Sequence, residues 1–455
     1  MMAQSDGKES WDILKTLSSA EDAEQLKAYV KSIGVSETFR AVLRLNADER
    51  EKVLTTLSAE DAADFIEEIP GQHAAEMMQQ LSAGDAASIL SEMDSQDQAD
   101  VIGELNSFHA SAVLAEMHPD AAANVQKLSS YDSESAGGLM QSEFVAYRED
   151  VTVGDVLSAL GGSAKQSSAL GMYIYVISRS GKLAGVVELR TLVLSSHDAP
   201  IAFISEPCLS IAADASLSDL DAFFDSHAFL AVPVVDMHNK LVGVVHRQHV
   251  AEAMADHASA NYRKSQGIIG GDEIRSQPTL LRSGRRVSWL SLNIVLNIIS
   301  ASVIALYQDT LSAVIALAVF LPIVSDMSGC SGNQAVAVSM RELALGIIKP
   351  YELMRVWMKE VSVGCINGVI LGTLLAAVAW LWQGNPYLGL VVGVALAANT
   401  IVAVSIGGTV PLMLKRMGKD PAVASGPILT TVTDMCGFFL ILSLASLLLP
   451  QLTTT

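Results

Sequence analysis

Three absences frame this 455-residue chain. Its four cysteines, Cys208, Cys330, Cys365 and Cys436, form no CxxC pair. That spacing argues against a structural zinc or disulfide site, and three of the four sit in or near apolar segments, where a thiol packs as a small hydrophobe. No nucleophile triad, HExxH helix or phosphate loop is present. "GCSGN" at 329–333 has the glycines of a nucleotide loop, but no strand precedes it and no Lys follows in the required place. The chain therefore reads as a non-enzyme. The third absence is positive charge: residues 53–126 hold 14 Asp/Glu and no Lys or Arg.

What is there falls into two halves. Residues 1–150 carry 29 Asp/Glu against 10 Lys/Arg, whereas 280–455 carry 7 against 10 and are mostly Leu, Val, Ala, Ile and Gly. This is an acidic module followed by a membrane module. The formal charge of −20 excludes a nucleic-acid role. Met1 to Ser10 is polar rather than charged-then-apolar, so the first half is expected in the cytoplasm.

A 12-residue period runs from about 45 to 128. Leu45, Leu57, Ile69, Leu81, Met93, Leu105 and Met117 form one ladder; Val53, Phe65, Met77, Ile89, Val101, Val113 and Val125 form another. Alanines lie between at Ala62, Ala74, Ala86, Ala110 and Ala122. Short amphipathic helices that cannot bury a face alone must stack, giving an all-α superhelical domain over 1–130. Asp61, Asp85, Asp97 and Asp120 fall at helix N-termini, which the dipole favours. The remaining acids have no basic partner within the array and are expected to attract divalent cations at low affinity.

Over 131–250 the pattern turns to β. "MYIYVISRSGKLAGVVELRTL" and "AVPVVDMHNKLVGVVHRQHV" are strand–turn–strand units about 60 residues apart, each after a helical stretch, Val153–Leu160 and Leu217–Phe224. They resemble a tandem pair of CBS modules, an α/β fold; such modules often bind adenosine nucleotides, so ATP is a candidate ligand, beside a docking role without one. His246, His249 and His257 are spaced i,i+3 and i,i+8, which makes no tight face, so they are expected as partly exposed polar residues rather than a metal site. The connecting region is placed at 251–280; its helix is expected to begin just before it, at Gln248, and to run to about Gln266, with a break at Gly267, Gly270, Gly271 and Pro278.

Residues 281–455 contain five apolar segments: Val287–Tyr307, Leu311–Ser325, Val361–Leu381, Leu388–Leu414 and Gly426–Leu449. About 20 such residues span a bilayer. The second is short, and Pro322 with the following glycines predicts a break at membrane depth. Arg282, Arg285 and Arg286 precede the first segment. Arg341, Lys349, Arg355 and Lys359 follow the second, and Lys415, Arg416 and Lys419 the fourth; the other connections hold no base. Five spans with the N-terminus inside and the C-terminus outside satisfy every one of them.

Asp434 is the only charged side chain between Gly426 and Leu449. A carboxylate there costs about 2.5–3.5 kcal/mol on insertion scales and is kept where it faces a protein interior or a watery path. Pro427, Thr430, Thr431, Asp434 and Gly437 share a helical face. Carboxylate and hydroxyl oxygens select hard cations such as Mg²⁺, which holds its water tightly and is suited by one carboxylate per subunit. Asp326 and Asn333 flank the glycine-rich stretch and suit an inner vestibule. Asn399 is expected to hydrogen-bond across helices.

"PIVSDMSGCSGNQAVAVSMRELALG" and "KRMGKDPAVASGPILTTVTDMCGF" resemble the signatures of the MgtE family of magnesium channels. "YDSESAGGLM" is similar to that family's entry into its CBS region, and the order of parts matches over nearly the whole chain. The resemblance implies a homodimer in the cell (inner) membrane, with a central Mg²⁺ pore whose acid corresponds to Asp434. It also implies a cytosolic gate closed when Mg²⁺ bridges acidic residues. Candidate gate ligands are Asp61, Asp64, Asp94, Asp97, Asp100, Asp225, Glu252 and Asp256.

Departures from the family pattern bear on the gate. Arg247, Gln248 and His249 stand where acids open the connecting helix, with Arg263 and Lys264 farther on; Gln96 and Gly426 replace a frequent acid and Asn, and Asp326 is an added acid. Transport with weakened Mg²⁺ closure is expected, and the extra bases are candidates to pair with the acidic domain. A coupled carrier of Mg²⁺ or another divalent ion such as Co²⁺, or a membrane-held sensor that transports nothing, are the competing readings.

Overall fold

The computed structural model describes residues 9–162, 172–268, 273 and 277–453. Gly270 and Gly271 of the expected break lie outside them. The chain divides into two compact units, Met1–His257 and Ala258–Thr455.

The first unit opens with α1 (Ser10–Ser19), α2 (Ala23–Ile33) and α3 (Val35–Val42). The repeat follows as α4 (Ala47–Thr56), α5 (Ala59–Glu67), α6 (Gly71–Met78), α7 (Ala83–Leu90), α8 (Ser95–Glu104), α9 (Ser107–Glu116) and α10 (Pro119–Leu128). Each helix begins 12 residues after the last, so the period is one helix plus one turn. Asn46, Ser58, Ser82 and Asn106 cap their helices by accepting from the N–H three residues on. Helices of this length are marginal alone. From α5 to α10, each packs against the helix two along, and both apolar ladders are buried throughout. At 98, where the alanine ladder lapses, buried Gln98 donates its amide to the Met93 carbonyl at 2.6 Å.

Next come β1 (Ala146–Arg148), α11 (Val153–Gly162), β2 (Tyr173–Ile177), β3 (Leu183–Glu188) and α12 (Leu189–Leu194). The second module has β4 (Ile211–Ala212), α13 (Leu217–Ser226), β5 (Ala231–Val235) and β6 (Leu241–His246). Both sheets share one plan: the middle strand is parallel to the first and antiparallel to the third. Sequence periodicity finds the four longer strands and misses β1 and β4, which are too short to show alternation. The connecting helix is α14 (Arg247–Ser265), and the division between the units falls inside it.

The second unit contains α15 (Thr279–Leu306), α16 (Gln308–Ala313), α17 (Leu317–Ala344), α18 (Leu353–Gln383), α19 (Pro386–Arg416), α20 (Pro421–Leu447) and α21 (Leu449–Thr453). Among the described residues, α15, α18, α19 and α20 are long and apolar enough to cross a membrane. Helix α17 has the length, 28 residues, but is not among those with an apolar enough stretch of 18 residues. The break expected at Pro322 and the glycines is not there: α17 runs through both, and the interruption lies upstream, between α16 and α17. Proline removes one backbone bond, but packing against α19 and α20 holds the helix, with Ser328, Ser331 and Gly332 buried. Small residues allow the tight fit of α18 on α19: a Cβ on Gly372 would lie 2.6 Å from the Gly393 carbonyl oxygen.

Candidate ion pathway

Asp434 lies on α20, half-buried, and accepts a hydrogen bond from the Ser325 hydroxyl of α17. Its partner there is a neutral hydroxyl rather than a Lys or Arg. Asp326 follows Ser325, is exposed, and is close enough for the two carboxylates to repel. Asn333 lies two turns farther along the same exposed face of α17.

Thr430 is exposed one turn before Asp434 and donates to the Gly426 carbonyl at 3.1 Å. Thr431 donates to the Pro427 carbonyl at 2.7 Å, and its own carbonyl accepts from Ser300 of α15 at 3.2 Å. The stripe expected from sequence is therefore divided. Thr430 and Asp434 stay open, the backbone at Thr431 turns to α15, and Gly437 is buried beside Asn399 and Ser325. Asn399 is fully buried on α19 and donates to the Thr433 carbonyl at 3.0 Å, the cross-helix bond expected of it. Ser325 was not legible in the sequence, because serines are common in membrane helices and nothing marks the one that faces a carboxylate. Together these groups present carboxylate, amide and hydroxyl oxygens, a set suited to a hard, hydrated cation.

In the first unit the acidic residues separate into two kinds. Asp61 is buried, paired with Lys27 at 2.8 Å and Lys31 at 3.5 Å, and bonded to Ser58. These contacts hold its carboxyl below the usual range against the effect of burial. Asp61, a candidate gate ligand, is thus already partnered here: α2 supplies bases that the repeat itself lacks. Asp97 is the opposite case. Burial and the carboxylates Glu67, Asp100, Asp94 and Glu252 push it up to about 7. Asp94 accepts from Gln141 at 2.8 Å and its N–H donates to Glu67 at 3.0 Å. Asp64, Asp100, Asp225, Glu252 and Asp256 are exposed. Among the described residues, no three His, Cys, Asp or Glu are arranged to hold a metal ion, so the cluster is a diffuse negative field rather than a finished cage.

Two bases of the connecting helix, Arg247 and Lys264, have partners within their own units. Arg247 donates to the carbonyls of Phe224, His227 (2.6 Å) and Phe229 (3.0 Å), fixing the end of α13. Lys264 pairs with Asp420 at 3.0 Å. His246 and His249 stand with ring centres 5.7 Å apart, both held below the usual histidine range by burial. His257 is directed to Glu134 instead, at 3.8 Å. A cleft of about 180 Å³ opens between the two sheets, lined by Phe144, Tyr173, Tyr175, Leu230, Glu143 and His246 among others.

An acidic helical array, a pair of small α/β modules and an apolar helical bundle carrying a half-buried carboxylate fit a membrane transport protein for cations. Family models agree: a divalent cation transporter model matches 321–444, an MgtE intracellular N domain model 34–134, and a CBS domain model 201–256. The magnesium transporter MgtE of Thermus thermophilus is 33% identical over 336 residues, covering 73% of this chain and 74% of that protein. The Enterococcus faecalis magnesium transporter MgtE is 31% identical, covering 72% of each. A solved cytosolic domain of the Mg²⁺ channel MgtE, in complex with ATP, is 27% identical and covers 53% of this chain and 99% of its own, with a TM-score of 0.49. The chain belongs to the MgtE family of transporters.

Proposed function

We propose that this chain moves Mg²⁺ passively across the cell membrane, as a channel-like homodimer with Asp434 in its conducting path. The observation that carries this is Asp434 itself: a carboxylate within an apolar helix, bonded to a neutral hydroxyl, beside the open polar face of Thr430, Asp326 and Asn333. Among the described residues Thr430, Asp326 and Asn333 on that face are exposed, and a second copy facing it would close an oxygen-lined path. Mg²⁺ would pass largely hydrated. The membrane potential would drive it by about twice 2.3 kcal/mol per 100 mV. Five spans with the N-terminus inside account for the placement of Lys and Arg.

The same reading gives the cytosolic acids a regulatory role. Asp94, Asp97, Asp100 and Glu252 form a field that Mg²⁺ would relax, with Asp64, Asp225 and Asp256 as further candidates. Closure by Mg²⁺ is weak here, because Arg247 and His249 occupy the start of α14 and Arg247 is committed to backbone carbonyls. The aromatic cleft between the sheets is the candidate place for ATP.

The test is Mg²⁺ uptake by proteoliposomes under an imposed potential with no other gradient. Voltage-driven uptake, lost in Asp434→Asn, is expected. Uptake that requires a Na⁺ or H⁺ gradient would replace the channel with a coupled carrier, and no uptake of any divalent ion would leave a sensor.

A further inference from the structure

We propose that Asn399 is a positioning residue for Asp434, setting where the carboxylate stands in the ion path; the inference rests on the reading that Asp434 lies in that path. Three helices meet beside Asp434. From α19, the Asn399 amide donates to the carbonyl of Thr433, the residue just before Asp434, at 3.0 Å. From α17, Ser325 donates to the carboxylate. Both contacts converge on Gly437, one turn beyond Asp434 on α20. A Cβ at 437 would lie 2.8 Å from the Asn399 amide nitrogen and 3.7 Å from the Ser325 Cα. Only glycine lets the amide come this near.

The bond to Thr433 fixes α20 in rotation and in depth at one residue from the acid. A slip of one residue moves a helix by about 1.5 Å and turns it by about 100°, enough to take Asp434 away from Ser325. A further observation separates Asn399 from a packing residue. It is 0% exposed, yet its Oδ1 has no hydrogen-bond partner among the described residues. A buried acceptor without a partner is costly, and an apolar side chain of similar size would avoid that cost. The amide is kept for what its N–H holds.

The test uses the full chain in proteoliposomes, with Mg²⁺ and Ca²⁺ uptake measured across a concentration series. Asn399→Ala is expected to raise half-saturating Mg²⁺ about 10-fold and to erode preference for Mg²⁺ over Ca²⁺, as displaced site groups do. Ser325→Ala should do the same, and the double variant should be no worse than either single one, because both act through Asp434. Where Asn399→Ala does not fold, Asn399→Ser takes its place, its hydroxyl being too short to span the gap. Folded Asn399 variants with normal half-saturation and selectivity, or effects that multiply with Ser325→Ala, overturn the positioning role. Normal uptake by Asp434→Asn overturns the pathway reading instead, and this inference with it.

Discussion

Asp434 and Asp97 are both partly buried carboxylates, and their surroundings differ in kind. Asp434 accepts from the Ser325 hydroxyl within a bundle of apolar helices. Asp97 is crowded by carboxylates, with burial and four neighbouring acids raising it to about 7. A carboxylate with a neutral donor and a single acidic neighbour suits passing contact with a hydrated ion, whereas a crowd of carboxylates stores repulsion that an ion or a proton relieves. Asp61 marks a third case, an acid already paired with Lys27 and Lys31. The same residue type stands beside a neutral hydroxyl, a crowd of acids or a pair of lysines, and its electrostatics differ accordingly.

The sharpest way to break this contrast is at Asp434. Asp434→Asn is expected to reduce Mg²⁺ uptake at least ~10-fold, since the intramembrane charge is what draws the cation. Uptake within twofold of the unaltered chain would remove Asp434 from the path.

Asp97 gives the next largest effect. Asp97→Asn should remove most of the protection from hydrogen exchange that low-millimolar Mg²⁺ confers on α8 in the full-length protein, while Asp61→Asn should leave that protection in place. Equal losses in both would erase the distinction between sensing and bracing acids.

The same carboxyl makes the cytosolic unit pH-dependent. Its folded value, about 7, lies above its ordinary 3.8, so the folded state holds a proton that the unfolded chain has released. That stabilisation is full at low pH and is lost as pH rises through about 7. His246 and His249, lowered by burial, oppose it only below their ordinary 6.5. Between pH 8 and 6.5, α8 should therefore become more protected on acidification, after correction for intrinsic exchange, and Mg²⁺ should flatten the trend. Protection that falls over this window would contradict the assignment.

A smaller effect is expected at Arg247. Arg247→Ala loses three contacts to carbonyls at the end of α13 and should destabilise the unit by about 1–3 kcal/mol, without changing Mg²⁺ uptake. The smallest belongs to Lys264→Ala. Its pair with Asp420 is well exposed on both sides, and such pairs contribute little; a shift in melting temperature beyond about 2 °C would show a larger role.

Much of the fold was legible because periodicity survives folding unchanged. The 12-residue ladder became seven helices with a 12-residue step, since both apolar positions of each unit had to meet the neighbouring units. The strands β2, β3, β5 and β6 were readable as β-rich runs about turns. Strands β1 and β4 were not, because two or three residues carry no pattern and are recruited by pairing. The continuity of α17 through Pro322 is not readable from the sequence, because local propensity favours a break and burial against neighbouring helices overrides it.

The site divides in the same way. An isolated charge in an apolar run is costly wherever the run is placed, so Asp434 was marked by sequence alone, and so was the unneutralised acid of residues 53–126. Charge and hydropathy are properties of single residues and of their spacing along the chain. The serine that faces Asp434, the amide that pins Thr433, the lysines that close Asp61 and the carbonyls that hold Arg247 were settled only in three dimensions. Each joins residues from separate helices or modules, and a hydrogen bond or ion pair forms only where packing brings its two partners within about 3 Å.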